Sequence, residues 1–129
     1  GQYDDNGRPV GPSAPCQRPP WGKLVAVNAN TGEIAWESVL GLNTNLPEGK
    51  QLVGSAGSAG ASVTAGGVVF VGATSDRRFR AFDARNGNEL WSATLENNAN
   101  ANPMSYAGRS GKQHVAIVAG DTLNVFALP

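Results

Sequence analysis

At 129 residues the chain has the length of one ordinary domain, and its ten basic and ten acidic side chains cancel. That balance gives no electrostatic reason to pair it with nucleic acid or an anionic membrane. Seventeen glycines and eight prolines between short apolar runs predict an all-β chain with frequent turns, and no run reaches the roughly 18 apolar residues of a membrane-spanning helix.

Residues 1–20 carry Pro9, Pro12, Pro15, Pro19 and Pro20, so an extended, irregular arm is expected there. No charged segment followed by an apolar one opens the sequence, and a signal peptide is expected to be absent or already removed. The lone Cys16 has no partner for an internal disulfide. Residues 24–28 read as a strand, Asn30, Thr31 and Gly32 as a tight turn, and 33–38 as the returning strand. Residues 41–60 read as a long linker ending in the small-residue run GSAGSAG. Four strands then follow in 61–65, 68–73, 78–83 and 89–94, with 68–73 apolar enough for burial on both faces. Three more are predicted in 104–107, 114–119 and 122–128, for nine in all.

These elements repeat. Residues 24–36, LVAVNANTGEIAW, and 79–91, FRAFDARNGNELW, are copies whose closing Trp36 and Trp91 lie 55 positions apart. A third copy opens at 123–128 as LNVFAL. A period of this length, with four antiparallel strands per unit, predicts β-propeller blades. The expected division is an arm at 1–20 and a partial propeller at 21–129. Within the latter, 21–40 ends one blade, 61–95 is a complete blade, and 103–129 is an incomplete last blade. Such sheets bury both faces against neighbours. Further blades, or self-association, are therefore the expected partners. Gly32 and Gly87 close the turns before each tryptophan, and all four residues read as structural docking positions.

Chemistry-bearing residues are few. His114 stands alone, with no other His or Cys at ligand spacing, and reads as structural. Ser55 and Ser58 lie in a run that matches no phosphate-loop or nucleophile-elbow pattern. The DDNG at 4–7 supplies too few oxygens for a calcium loop and reads as a solvated tail. Asp76 is the carboxylate to single out, in a short loop after the most apolar strand and beside three arginines. Its ordinary reading is a turn aspartate held by Arg77 or Arg78.

The repeated pattern Ala-x-Asp/Asn-x-x-Thr/Asn-Gly-x-x-x-Trp resembles the tryptophan-docking motif of quinoprotein propellers. Longer stretches narrow the resemblance: PCQRPPWG at 15–22, VTAGGVVFVGAT at 63–74, DRRFRAFD at 76–83, PMSY at 103–106 and GKQH at 111–114. Together they resemble the C-terminal segment of pyrroloquinoline-quinone (PQQ)-dependent dehydrogenases of the glucose and quinate type, and FALP at 126–129 resembles that family's natural end. The resemblance implies an eight-bladed propeller with PQQ and calcium on its axis, in the periplasm. It implies oxidation of an alcohol or sugar hydroxyl and a quinone or cytochrome as electron acceptor. No catalytic residue and no metal ligand of that family falls in this segment, whereas Asp76 matches a cofactor-side aspartate and is the candidate cofactor-binding residue. One departure stands out: the Gly-rich loop that covers the cofactor in such proteins is reduced here to Gly120 and Asp121. The segment by itself is therefore expected to be inactive and to bind neither PQQ nor calcium. The alternative is a non-catalytic propeller, a scaffold or sensor domain of the cell envelope.

Overall fold

A computed structural model describes residues 2–10 and 15–127. Eleven strands and no helix occur among them: β1 Gln2–Tyr3, β2 Pro9–Val10, β3 Lys23–Val27, β4 Ile34–Val39, β5 Ala61–Val63, β6 Val68–Val71, β7 Arg78–Asp83, β8 Glu89–Thr94, β9 Met104–Ala107, β10 Gln113–Ala119 and β11 Thr122–Ala127. Neighbours pair antiparallel in four sheets, ordered β1-β2, β3-β4, β5-β6-β7-β8 and β9-β10-β11.

The four-stranded sheet is the complete unit, and the flanking sheets are its partial copies. Trp36 pairs with Ala26 in one sheet and Trp91 with Ala81 in the other, and each pair adjoins a register shift, at Ala26/Val27 and at Ala81/Phe82. The repeat in sequence is thus a repeat in register. Each face of the complete sheet packs on a neighbour. Val69, Val71 and Phe82 join Leu40 and Leu24 of the first hairpin, whereas Phe79 joins Val115, Ile117 and Phe126 of the last sheet.

Docking between sheets is specific. The Trp36 indole Nε1 donates to the Ala84 carbonyl at 2.8 Å, and the Ser38 hydroxyl donates to the Gly87 carbonyl at 2.5 Å. Gly87 has φ +73°, and a Cβ there would run into the Trp36 ring, so both the turn and the indole require glycine. The tryptophan of one sheet therefore sits on the turn of the next. Trp91 packs edge-on against Phe79 and Phe126 at centroid distances of 5.9 and 5.1 Å. The position that corresponds to Ala84 in the third copy is Leu128, which lies outside the described residues, as does the terminal Pro129.

Four expectations need correction. Part of the arm is a small hairpin: Tyr3 pairs with Pro9, and the Asp4 carboxylate accepts the Asn6 and Arg8 amides, so the DDNG run is a turn and not a loose tail. Proline is tolerated in it because a two-residue ladder has only edges. Pro12 lies outside the described residues. The strand count rises from nine to eleven for the same reason.

Second, residues 41–60 are not a free linker. Leu40 N bonds Gly22 O, Ser55 N bonds Leu40 O, Ser58 N bonds Ala73 O, and Gly57 bridges Thr74. Gly54, at φ +81°, lies against the Gly22 backbone, and Gly22 against the backbone of Leu40 and Ser55, so that neither could carry a side chain. The run of small residues is there for close backbone approach. Third, β6 ends at Val71, and only Val69 and Val71 are buried. Val68 and Phe70 are half-buried because they line a cavity of about 500 Å³ between the complete and last sheets.

The fourth correction concerns Asp76, whose side-chain ion partner is Arg80, with Arg78 contributing only its backbone amide. Antiparallel order brings the β6–β7 loop with Asp76, the residues 41–60 and the Gly120–Asp121 turn to one end of the sheets. The turns that carry Gly32 and Gly87 occupy the other.

Candidate functional site

At the loop end, Asp76 is the centre of a buried polar cluster. Its side chain is 1% exposed and that of Arg80 is 4% exposed. Alternation along β7 puts Arg80 on the face of Phe82, where a cation needs a partner. Asp76 supplies it as a fork: Arg80 Nη2 donates to Oδ2 at 2.5 Å and Nη1 to Oδ1 at 3.2 Å. Thr74 Oγ1 donates to Oδ1 at 2.5 Å, the Arg78 amide to Oδ1 at 3.2 Å, and the Leu42 amide to Oδ2 at 2.8 Å. Arg80 also donates to Thr74 Oγ1 at 3.1 Å and reaches Glu89 from Nε at 3.3 Å. Burial pushes the Asp76 carboxyl up, but the donors from Arg80, Thr74 and Leu42 and the Arg80 charge outweigh it and hold the group below its ordinary value.

The loop is held in unusual backbone geometry. Ala73 and Arg77 have φ of 62° and 58°, in the left-handed region that costs a non-glycine residue about 1–2 kcal/mol. Such strain persists only where the surroundings over-determine it, and here the Asp76 contacts do so. Arg77 itself reaches outward to the Glu96 carbonyl at 3.5 Å.

Beside this cluster lies a cleft of about 290 Å³ with Trp21, Asn43, Asn45, Ser55 and Ser75 in its wall. The Ser55 and Ser75 hydroxyls touch each other. Sequence reasoning missed both the cleft and Arg80. The signal for Arg80 was available, since it sits at the spacing of Phe82 on a buried strand, four residues beyond a carboxylate. The cleft had no such signal, because it forms from three separate stretches.

The remaining candidates do not gather here. His114 stacks on Tyr106 with centroids 5.2 Å apart, and its Nδ1 lies 2.9 Å from the Lys112 carbonyl, on the other sheet. Trp36, Gly87 and Trp91 belong to the inter-sheet contacts, whereas Gly32 closes its own β3–β4 turn, its amide bonding the Asn28 carbonyl. At the docking end, hydrogen bonds from Arg85 hold the Asp83 carboxyl at about 2, well below its usual range. Gly120 turns β10 into β11 in two residues and packs on Asn97.

As to metal and cofactor, no group of three or more His, Cys, Asp or Glu side chains converges among the described residues. Asp76 has its carboxylate committed to five donors. A carboxylate cluster of the kind that holds calcium is thus not assembled among the described residues.

The family model for the β-propeller domain of PQQ-dependent glucose, ethanol and alcohol dehydrogenases matches residues 5–115. Quinoprotein glucose dehydrogenase A of Acinetobacter calcoaceticus is 40% identical over 89% of this chain and 16% of its own length. The quinate/shikimate dehydrogenase (quinone) of Acinetobacter baylyi is also 40% identical, over 82% of this chain and 14% of its own. Among solved structures, a europium-containing methanol dehydrogenase superposes with a TM-score of 0.55 at 30% identity, covering 74% of this chain and 14% of that one. The chain thus spans about a sixth of the length of the relatives it matches.

Proposed function

The chain belongs to the family of PQQ-dependent dehydrogenase β-propellers, and on that premise we propose that it forms part of a quinoprotein dehydrogenase that oxidises an alcohol or sugar hydroxyl. The observation that carries this reading is the family match over residues 5–115, which takes in the loop end of the sheets as well as the docking repeat. PQQ supplies the redox chemistry in such a protein, and calcium is its proposed companion. Its own contribution in this reading is structural: it holds the Asp76 loop rigid at the face where the cofactor of the whole protein would lie. Asp76, with every oxygen already bonded, serves as a positioning residue for that face and not as a direct ligand.

The rest of the reading rests on family likeness. The other blades of a longer chain cover the exposed Val25, Val27 and Ile34 of the first hairpin and Leu123 and Val125 of the last sheet. A quinone or cytochrome accepts the electrons, and the periplasm is the proposed location. A dye-reduction assay on the full-length protein, reconstituted with PQQ and calcium, tests the activity. Turnover with an alcohol or sugar is expected, and its absence across such substrates would overturn the proposal. Titration of the 129-residue chain with PQQ, with and without calcium, is expected to show no binding, since so few contacts cannot offset the entropy of association. Micromolar binding would mean that these residues do assemble a site.

A further inference from the structure

The sequence holds two Asn-Gly pairs, Asn6-Gly7 and Asn86-Gly87. Glycine has no side chain to shield its amide, so in such a pair the glycine nitrogen can reach the carboxamide carbon that precedes it. The two pairs stand in different settings. Asn6 and Gly7 are both exposed on the β1–β2 hairpin, and among the described residues nothing lies within 4 Å of a Cβ built on Gly7. A ladder of two residues per strand holds that hairpin, and so short a pairing opens readily. Asn86 is exposed as well, but Gly87 is buried against the Trp36 ring.

In the β7–β8 turn the Asn88 amide donates to Asn86 Oδ1 at 2.9 Å, which closes a ring around the Gly87 peptide and holds the carboxamide next to it. The attack itself is restrained. Gly87 N donates to Asp83 O at 2.8 Å, and Gly87 O accepts the Ser38 hydroxyl. The amide must lose its proton and its plane must turn before the nitrogen meets the carbon, and these two bonds and the Trp36 ring oppose both. The β3–β4 turn has the same frame, with Gly32 N on Asn28 O at 2.7 Å and the Glu33 amide on Thr31 Oγ1 at 3.2 Å. There threonine stands in the asparagine place and offers no carbonyl carbon. The turn therefore does not require asparagine; its presence at the occupied Trp36 seat adds a reaction.

We propose that Asn86 is a self-modification site whose deamidation is gated by the seating of Trp36. Water acting as base removes the Gly87 amide proton, Gly87 N bonds to Asn86 Cγ, and the Cγ–Nδ2 bond breaks to release ammonia. A second water opens the cyclic imide at either carbonyl, leaving an aspartate or an isoaspartate, the latter with the main chain routed through Cγ. Isoaspartate lengthens the backbone by one carbon in a turn where a Cβ on Gly87 already meets the Trp36 ring. Gly87 then leaves its place, the Ser38 bond is lost, and the first hairpin cannot reseat. The reaction makes a transient undocking permanent.

The test is peptide mapping by mass spectrometry of the full-length protein, incubated folded at mildly alkaline pH, with Asn6 as the internal clock. Asn86 is expected to convert at least about tenfold more slowly than Asn6, the protection conferred by a local opening free energy of about 1.4 kcal/mol. Trp36→Ala, and the milder Ser38→Ala that removes one hydrogen bond and keeps the ring, are expected to speed Asn86 and leave Asn6 unchanged. Asn86→Thr, copied from the β3–β4 turn, is expected to end conversion at this site and keep the parent's amide exchange across β3 and β4. The converted parent, separated by its added negative charge, is expected to exchange faster there. Conversion of Asn86 as fast as Asn6 in the folded parent, or at the parent's rate in Ser38→Ala and Trp36→Ala, would overturn the gate. Exchange across β3 and β4 that is unchanged in the converted protein would overturn the loss of docking.

Discussion

Replacing Asp76 by Asn tests the buried cluster most sharply, because it keeps shape and removes charge. The carboxylate accepts five hydrogen bonds, three on Oδ1 and two on Oδ2. With the amide oxygen at the Oδ1 place, the new NH₂ faces the Leu42 amide and Arg80 Nη2, donor against donor. Each orphaned buried donor costs about 1–3 kcal/mol. Among the described residues Arg80 is then left with Glu89, whose side chain is 46% exposed, as its counter-charge. Breaking a buried pair from one side costs about 3–5 kcal/mol, and the two routes agree on that range. The assay is urea unfolding of the full-length protein, with amide exchange at Leu42 and Arg78 as the local readout. Both amides are expected to lose protection. The double substitution Asp76→Leu with Arg80→Met is expected to cost far less than Asp76→Asn, since it leaves no charge buried. A loss below about 1 kcal/mol for Asp76→Asn would mean the pair is screened like a surface bridge, and the account of the loop would be wrong.

Gly87→Ala combines a positive φ with a clash on Trp36 and is expected to cost at least about 1–2 kcal/mol and expose Trp36 to fluorescence quenchers, whereas Gly32→Ala, with nothing within 4 Å, carries only the backbone strain; equal quenching in the two would refute the docking role. The Asp76 carboxyl titrates below its ordinary value of 3.8, so its stabilisation is complete at neutral pH and disappears as pH falls through the folded-state value; a urea midpoint that rises as pH falls from about 5 to 3 would carry the opposite sign. The isolated chain is expected to self-associate at micromolar concentration, because Val27 and Ile34 are each 57% and Leu123 62% exposed; a cooperative monomer in sedimentation would contradict this.

Periodicity made much of the fold legible. Copies ending in Trp36 and Trp91 implied equivalent sheets, and the shared register and bulge bear that out. What escaped was anything made by distant pieces of backbone. The glycines at 54 and 57 look like flexible spacing, yet they are small because Gly22 and Ala73 lie against them. Asp76 was found from its loop and its charge, but its true partner was hidden two residues inside a strand taken as ordinary. Trp21 was noticed only as part of a motif, and nothing in the sequence puts it opposite Ser55 and Ser75.

The seating of Trp36 on Ala84 has a consequence for how the protein is made. Its hydrogen bond joins residues 48 positions apart, and the acceptor lies later in the chain. At ribosomal rates of about 5–20 residues per second, a completed hairpin waits roughly 2–10 s before its anchor exists. During that interval the indole and its apolar strand face water or a chaperone. The first hairpin is thus locked from its C-terminal side, and a pause in translation just before Ala84 would lengthen its exposed, aggregation-prone interval.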